Sequence, residues 1–535
     1  MKTTIKKIGI NGEGIAFEKK KPIFIPYTLP EEVIEYQITE RKPNYSFGEV
    51  KKVLYPSPFR VQPECRSFKE CGACTFMQVA YPTQLEYKKK LLQETLMKYA
   101  KIDPSLVDDV IASTSPLHYR NALKLPFAMK NDKLVIGMYG SNSNRFVRID
   151  HCIIHQKRLD VIKREIVKIL NAHHYKAYEN ANKDGLRYLV MRILESKVQV
   201  TIVGGKNDIS KDCIDQIMNI EEVVSLYFSE NRTKKTTNIF GKEMIHLGGV
   251  KFLNFHFKDI YATLSPRSFF QLNTAQASRL YDVVVNAVAD NQECIVEAYC
   301  GVGMMSLLLA NKAKKVIGIE SIPEAIQNAK RNAQRNDIKN TKFMVGDAGT
   351  ELVKLSAKQP IDTLVVDPPR SGLDDVMLDC IMKSDIQNIV YVSCNPATLA
   401  KNLAILQETY AITKITPVDM FSQTAHIETV VLLSHKDIEE HVKLSYEPED
   451  KPSTHFRDAT YEEIKSWVLE HYGLKVSSLY IGQVKDECGL AKRENYNKSK
   501  KKDAKVPLCP ENKKEAIKAA LEHFEMINDW KKMSE

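Results

Sequence analysis

The sequence predicts an α/β protein built on a doubly wound, mostly parallel sheet, and three observations predict it. From residue 265 to about 436, β-branched apolar runs alternate with helical segments: "CIVEAYC", "KVIGIES", "TKFMVGD", "DTLVVDPP" and "NIVYVSC". A Gly-rich turn, "YCGVG", closes the first run and opens a helix. Acidic residues stand at the ends of the next three runs, the edge where ligands of such sheets bind.

At 535 residues the chain exceeds one ordinary domain. Four regions are expected: 1–60, 61–264, 265–436 and 437–535. The hydrophobic fraction of 43% is enough for normal cores, and no apolar run approaches the length of a membrane span. The N-terminus, "MKTTIKKIGINGEG", lacks the apolar centre of a signal peptide. A soluble, cytoplasmic monomer with no membrane partner is expected. The net charge of +10 suits a polyanionic partner without proving one. Eleven unevenly spaced cysteines in a reducing compartment argue for metal or catalytic roles over a disulfide framework.

Residues 1 to about 60 read as short strands, "GIAFE", "PIFIP", "VIEYQIT" and "FGEVKKVL", split by Gly, Pro and Asn. They fit a small β-barrel of the oligonucleotide-binding type, or any small β module. Next comes "PECRSFKECGACTFMQ", with three cysteines, and then "YPTQLEYKKKLLQETLMKYA", with helical periodicity. Residues 118–264 mix strands and helices, giving an α+β central region. Beyond 437, a Thr460–Glu463 capping box precedes a helix and "VSSLYIGQV" reads as a β-like run. A basic stretch, "KRENYNKSKKKDAK", and a helix, "ENKKEAIKAALEHFEMI", follow, so the extension is expected to be a small α/β unit.

The turn at Gly301 and Gly303 lets the backbone pass tightly beneath a ligand. The next strand ends at Glu320, whose carboxylate can accept from both hydroxyls of a ribose. A nicotinamide enzyme shares these features, but Ser306 stands where the dinucleotide fingerprint wants its third small residue. A phosphate-free cofactor, S-adenosylmethionine, tolerates the shorter turn. Asp347 could accept from an adenine amine, and the two prolines of "DPPR" hold Asp367 at the same edge. Any one acid could simply cap its turn, but three at successive strand ends favour a cofactor.

Cys394, in "SCNPATL", would lie on that edge, and Glu428 follows a polar loop about thirty residues on. Alone, Cys394 is most cheaply a packing residue. Paired with a carboxylate near a methyl donor, it suits C5-methylation of a pyrimidine. A thiolate adds at carbon 6, carbon 5 becomes nucleophilic, and a base then removes the carbon 5 proton.

"QLN" at 271–273, "YCGVG", "DPPRSGL", "SCNPATLAKNL" and "FSQTAHIETVVLL" occur in one order that resembles the RNA uracil-5-methyltransferase family, over roughly residues 1–436. The resemblance implies a Rossmann-like class I methyltransferase domain and an N-terminal TRAM barrel that binds RNA. It implies Cys394 as nucleophile, Glu428 as base, and Gln271, Tyr299, Glu320 and Asp367 as holders of S-adenosylmethionine. The chain departs from the family pattern at Glu297 and Ala298, at Ser422 in place of a proline, and in "PYTLPEE", which lacks the usual glycines. Cytosine-5-methyltransferases can carry a cysteine after the two prolines, where this chain has Arg370.

Cys65, Cys71, Cys74 and the more distant Cys152 could bind zinc or a four-iron cluster. Spacing does not choose, and His151 and His155 keep zinc open. "C-x5-C-G-A-C" resembles the cluster motif of the family's ribosomal RNA branch. That likeness implies a structural or RNA-positioning [4Fe-4S] cluster and 23S ribosomal RNA as substrate, since the transfer-RNA branch lacks the cluster. The basic runs "KKKLL", "SPRSFFQ" and "KRENYNKSKKK" could meet phosphates. Phe269 and Phe270 could stack on an extruded base or belong to the core.

Overall fold

The computed structural model describes residues 1–140, 143, 145–179, 183–233, 238–436, 461–488, 508–524 and 526. Residues 1–438 and 439–535 form two separate compact units.

In the first unit, the five expected strands are β1 (Gln292–Ala298), β2 (Ala313–Glu320), β3 (Thr341–Val345), β4 (Thr363–Val366) and β5 (Asn388–Ser393), and they share a sheet with β6 (Tyr410–Val418) and β7 (Glu428–His435). Their order is β3-β2-β1-β4-β5-β7-β6. The first five are parallel, and β7 enters antiparallel beside β5. Val365, Val390 and Val392 face one core while Leu364, Ile389 and Tyr391 face the other. Burial on both faces is why these strands read as continuous apolar runs rather than alternating ones. Because the parallel strands all end at one edge, the Gly turn, Glu320, Asp367 and Cys394 share it.

Ahead of this sheet lies a seven-stranded sheet spanning residues 122–249, packed against the helices Lys157–Ala172 and Lys211–Met218. The N-terminal module is a six-stranded sheet around Ile5, Ala16, Ile23, Ile25, Ile34 and Tyr36. Where "PYTLPEE" lacks glycine, Tyr27 and Glu31 take left-handed φ values of 63° and 69°. Such strain persists only where surroundings over-determine it. Here Arg60 donates to the Tyr27 carbonyl at 2.9 Å, the Glu31 N–H donates to Ile5 O at 2.8 Å, and buried Glu32 accepts from Leu29 N at 2.9 Å.

The second unit has three helices among its described residues: Tyr461–Tyr472, Ser478–Glu487 and Glu511–His523. They meet over Ile464, Val468, Ile481, Val484, Ile517 and Leu521. The β-like run "VSSLYIGQV" is therefore corrected to helix. Its buried positions, Ile481, Val484 and Lys485, repeat at three and four, and the Ser477 hydroxyl caps the helix at Tyr480 N. Thr460 of the expected capping box and the whole of the basic run lie outside the described residues.

Candidate active site

The turn after β1 is built from left-handed residues: Tyr299 at φ 65°, Gly301 at 53° and Gly303 at 79°. The two glycines serve different needs. A Cβ on Gly303 would stand 2.9 Å from Ala329 and the Phe343 ring, so this glycine lets a helix pack. A Cβ on Gly301 would meet no protein atom within 4 Å, so this one leaves a cradle open. Gln271, Glu297, Tyr299, Gly301 and Asp367 line the pocket in front of it, with Phe269 at its margin.

Glu320 secures the turn from below. Its carboxylate accepts from Gly301 N at 3.2 Å and Ile322 N at 3.0 Å. Asp347 caps the next helix: Oδ1 accepts from the N–H and hydroxyl of Thr350 at 3.0 and 2.8 Å.

Glu297, singled out in the sequence only as a departure from the family pattern, belongs to the pocket. It is buried, and the Ser306 hydroxyl donates to it. Burial pushes its carboxyl up to about 8, against the Ser306 bond and with the help of Asp367 and Glu320. Ser306 thus occupies the fingerprint's third position as a hydrogen-bond donor. An acid closing the strand before a Gly turn is a signal the sequence did contain.

Cys394 and Glu428 lie 34 positions apart in sequence, and the register brings them together. β5 and β7 pair Ser393 with Thr429, so continuing the register by one residue sets Cys394, just past the end of β5, opposite Glu428, the first residue of β7. Asn395 stabilises the turn: Oδ1 accepts from Ala397 N at 3.1 Å and Nδ2 donates to Arg370 O at 3.0 Å. Thr398 donates to the same carbonyl at 3.2 Å, tying the "DPPR" loop to the cysteine turn. Pro396 supplies a pre-set first helical residue.

The acids at this edge resist ionising. Burial, and then the charge of Asp367, push Glu428 up to about 8, and burial pushes Asp367 up to about 7. Burial raises the Cys394 thiol too, with Glu428 and Asp367 adding to the shift and the Arg370 guanidinium opposing it. Of the phenylalanine pair, Phe270 is 3% exposed and packs on Phe255 and Phe257, while Phe269 is 67% exposed.

Cys65, Cys71, Cys74 and Cys152, from two distant segments, line one pocket with Phe68 and His151. None is in a disulfide. Among the described residues, no three His, Cys, Asp or Glu side chains are disposed to hold a metal ion. His151 is turned to Asp160 at 2.8 Å, and His155 is buried.

A Gly turn, acids at successive strand ends and an open cradle on this sheet define a class I methyltransferase site, and S-adenosylmethionine is its cofactor. More narrowly, the chain belongs to the tRNA (Uracil-5-)-methyltransferase family, which matches residues 80–436. A TRAM domain matches residues 2–51. An uncharacterized RNA methyltransferase of Bacillus anthracis is 36% identical, covering 81% of this chain and 96% of its own. One from Fusobacterium nucleatum is 34% identical, covering 81% and 95%. The crystal structure of the Pyrococcus abyssi tRNA (uracil-54, C5)-methyltransferase with S-adenosyl-L-homocysteine is similar at a TM-score of 0.66 and 28% identity, covering 81% of this chain and 99% of that one.

Proposed function

We propose that this protein forms 5-methyluridine in 23S ribosomal RNA through a covalent bond between Cys394 and carbon 6 of the target uracil. The observation that carries the reading is the strand register setting Cys394 opposite Glu428 beside the cradle. Gln271, Tyr299, Glu297, Glu320 and Asp367 are the residues to hold S-adenosylmethionine, which supplies an electrophilic methyl group when bound. The Cys394 thiolate adds to carbon 6, and the ring's double-bond electrons move to oxygen 4 as an enolate. Carbon 5 then takes the methyl group. Glu428 accepts the carbon 5 proton, the sulfur–carbon bond breaks, and the ring double bond returns. A carboxyl raised to about 8 is a base matched to that proton transfer near neutral pH.

Exposed Phe269 is positioned to stack on an extruded base. On the N-terminal sheet, Phe24, Tyr45 and Phe47 pack ring to ring at 5.5–5.9 Å beside Arg41 and Lys42, a surface suited to single-stranded RNA. The reading also takes the four cysteines to hold a [4Fe-4S] cluster. The donors fit in kind: four thiols from two segments face one pocket with apolar walls that include Phe68, Met77 and Ile154. The cluster supports 23S ribosomal RNA as substrate, and a reducing cytoplasm suits free thiols.

A second reading, transfer RNA as substrate, is favoured by the Pyrococcus abyssi neighbour. RNA carrying 5-fluorouridine decides between them, because fluorine cannot leave as a proton and the adduct accumulates. An adduct with 23S RNA and not tRNA is expected. An adduct confined to tRNA overturns the substrate, and none with either RNA overturns the covalent route. Protein prepared without oxygen is expected to be brown and to contain iron; colourless protein containing zinc overturns the cluster.

A further inference from the structure

We propose that the buried Lys88–Asp419 ion pair is a positioning device for Glu428, holding the loop that delivers this carboxylate to the reacting base. The proposal rests on the reading of Glu428 as the proton acceptor. Both side chains are 0% exposed. Burying two charges costs several kcal/mol per ion, and well-packed apolar residues often serve stability as well. What such a pair adds is a defined geometry, and its bonds show which geometry it defines.

Lys88 lies on the helix Tyr81–Ala100, and Asp419 immediately follows Val418, which pairs across the hairpin with Glu428. The pair therefore stands at the mouth of the loop 419–427, one residue from the base's own cross-strand partner. Every polar group of the pair is engaged. Lys88 donates to Asp419 Oδ1 and, at 3.1 Å, to Phe421 O. Asp419 Oδ2 accepts from the Tyr81 hydroxyl at 2.7 Å and from Ser422 Oγ at 2.6 Å. Ser422 is the residue standing where the family pattern has proline; its hydroxyl replaces a ring constraint with a hydrogen bond.

The rest of the loop is held from the same early segment. The Gln84 side chain accepts from Gln423 N at 3.0 Å and donates to Gln423 Oε1 at 3.1 Å. Phe76 N donates to Gln423 O at 2.9 Å, and Ala425 N donates to Thr75 Oγ1 at 3.1 Å. These bonds fix Gln423 in a left-handed conformation, φ 69°, that it would not adopt unaided. Residues 75–88 thus set where a base 340 or more positions later begins its strand. Neither Lys88 nor Asp419 lines the cofactor pocket.

The device acts on one half of the reaction. When it is loosened, Cys394 still adds to carbon 6 and carbon 5 is still methylated. The carbon 5 proton then stays, the sulfur–carbon bond cannot break, and methylated protein–RNA adduct builds up on ordinary uridine RNA. The full-length variants Asp419→Asn, Lys88→Met, Ser422→Ala and Glu428→Gln are incubated with S-adenosylmethionine and RNA and run on a denaturing gel, with S-adenosylhomocysteine affinity measured alongside. Asp419→Asn and Lys88→Met are expected to keep that affinity within about twofold, lose turnover by roughly 100-fold and accumulate adduct as Glu428→Gln does. Ser422→Ala, which removes one bond and no charge, should show the same adduct to a lesser degree, and it carries the test if the charge variants fail to bind S-adenosylhomocysteine. Variants that bind it but turn over without accumulating adduct, while Glu428→Gln does accumulate it, overturn the positioning role alone. Failure of Glu428→Gln to accumulate any adduct overturns the reading on which it rests.

Discussion

The chemistry assigned to single residues depends on charges that burial makes expensive. Cys394→Ala is expected to abolish methylation while leaving S-adenosylmethionine affinity within about twofold, since in the proposed reaction the thiol meets only the target base; loss of both would return Cys394 to a structural role. Glu297, Asp367 and Glu428 hold protons to about 8, 7 and 8, against ordinary values of 4.5, 3.8 and 4.5. Between roughly pH 4 and pH 8 the folded protein therefore binds more protons than the unfolded chain, and stability falls as pH rises through that window. The melting temperature of the cofactor-free protein should drop between about pH 4 and pH 8, and Glu297→Gln should flatten the drop. A pH-independent melting temperature in wild type would show that these acids are ionised in the folded state. A sulfonium cation beside the same acids favours their ionised forms, so preference for S-adenosylmethionine over the uncharged S-adenosylhomocysteine should rise with pH in calorimetric titrations.

Secondary-structure elements divide residues that look alike in sequence. Gly301 and Gly303 sit two positions apart, yet one faces ligand space and the other a helix. Gly303→Ala is expected to destabilise the fold by about 1–3 kcal/mol through overpacking, whereas Gly301→Ala should chiefly weaken cofactor binding; thermal melts and titration separate the two. Phe269 and Phe270 divide in the same way. Phe270→Ala should cost about 3–5 kcal/mol of stability, and Phe269→Ala should leave the melting temperature unchanged while raising KM for RNA. The Gly turn, "DPPR" and "SCNPATL" were legible because each is a local motif whose backbone needs appear as Gly, Pro and Asn. The helix at Ser478–Glu487 was not, because its β-branched residues pointed to a strand while packing against two other helices chose otherwise.

At the scale of the whole molecule, the candidate active site, the TRAM domain and the cysteine pocket all lie within the first unit. Thr75 and Phe76 directly follow Cys74 and bond to the loop that leads to Glu428. The three helices described in the second unit have their own core. A chain ending at Lys436 is expected to bind S-adenosylhomocysteine as the full protein does; loss of binding would show that the site needs residues past 436.

By itself the sequence determined the parallel sheet and its ligand edge, and it singled out Cys394, Glu428 and the acids at the strand ends as candidates, because those follow from local patterns and a motif order. Tertiary structure alone decided how they meet. Strand register set Cys394 against Glu428, burial raised the acids, and a lysine and an aspartate 331 positions apart came to share one buried site. Such facts depend on which backbone pairs with which and on what water is excluded. Neither is encoded at any one place along the chain.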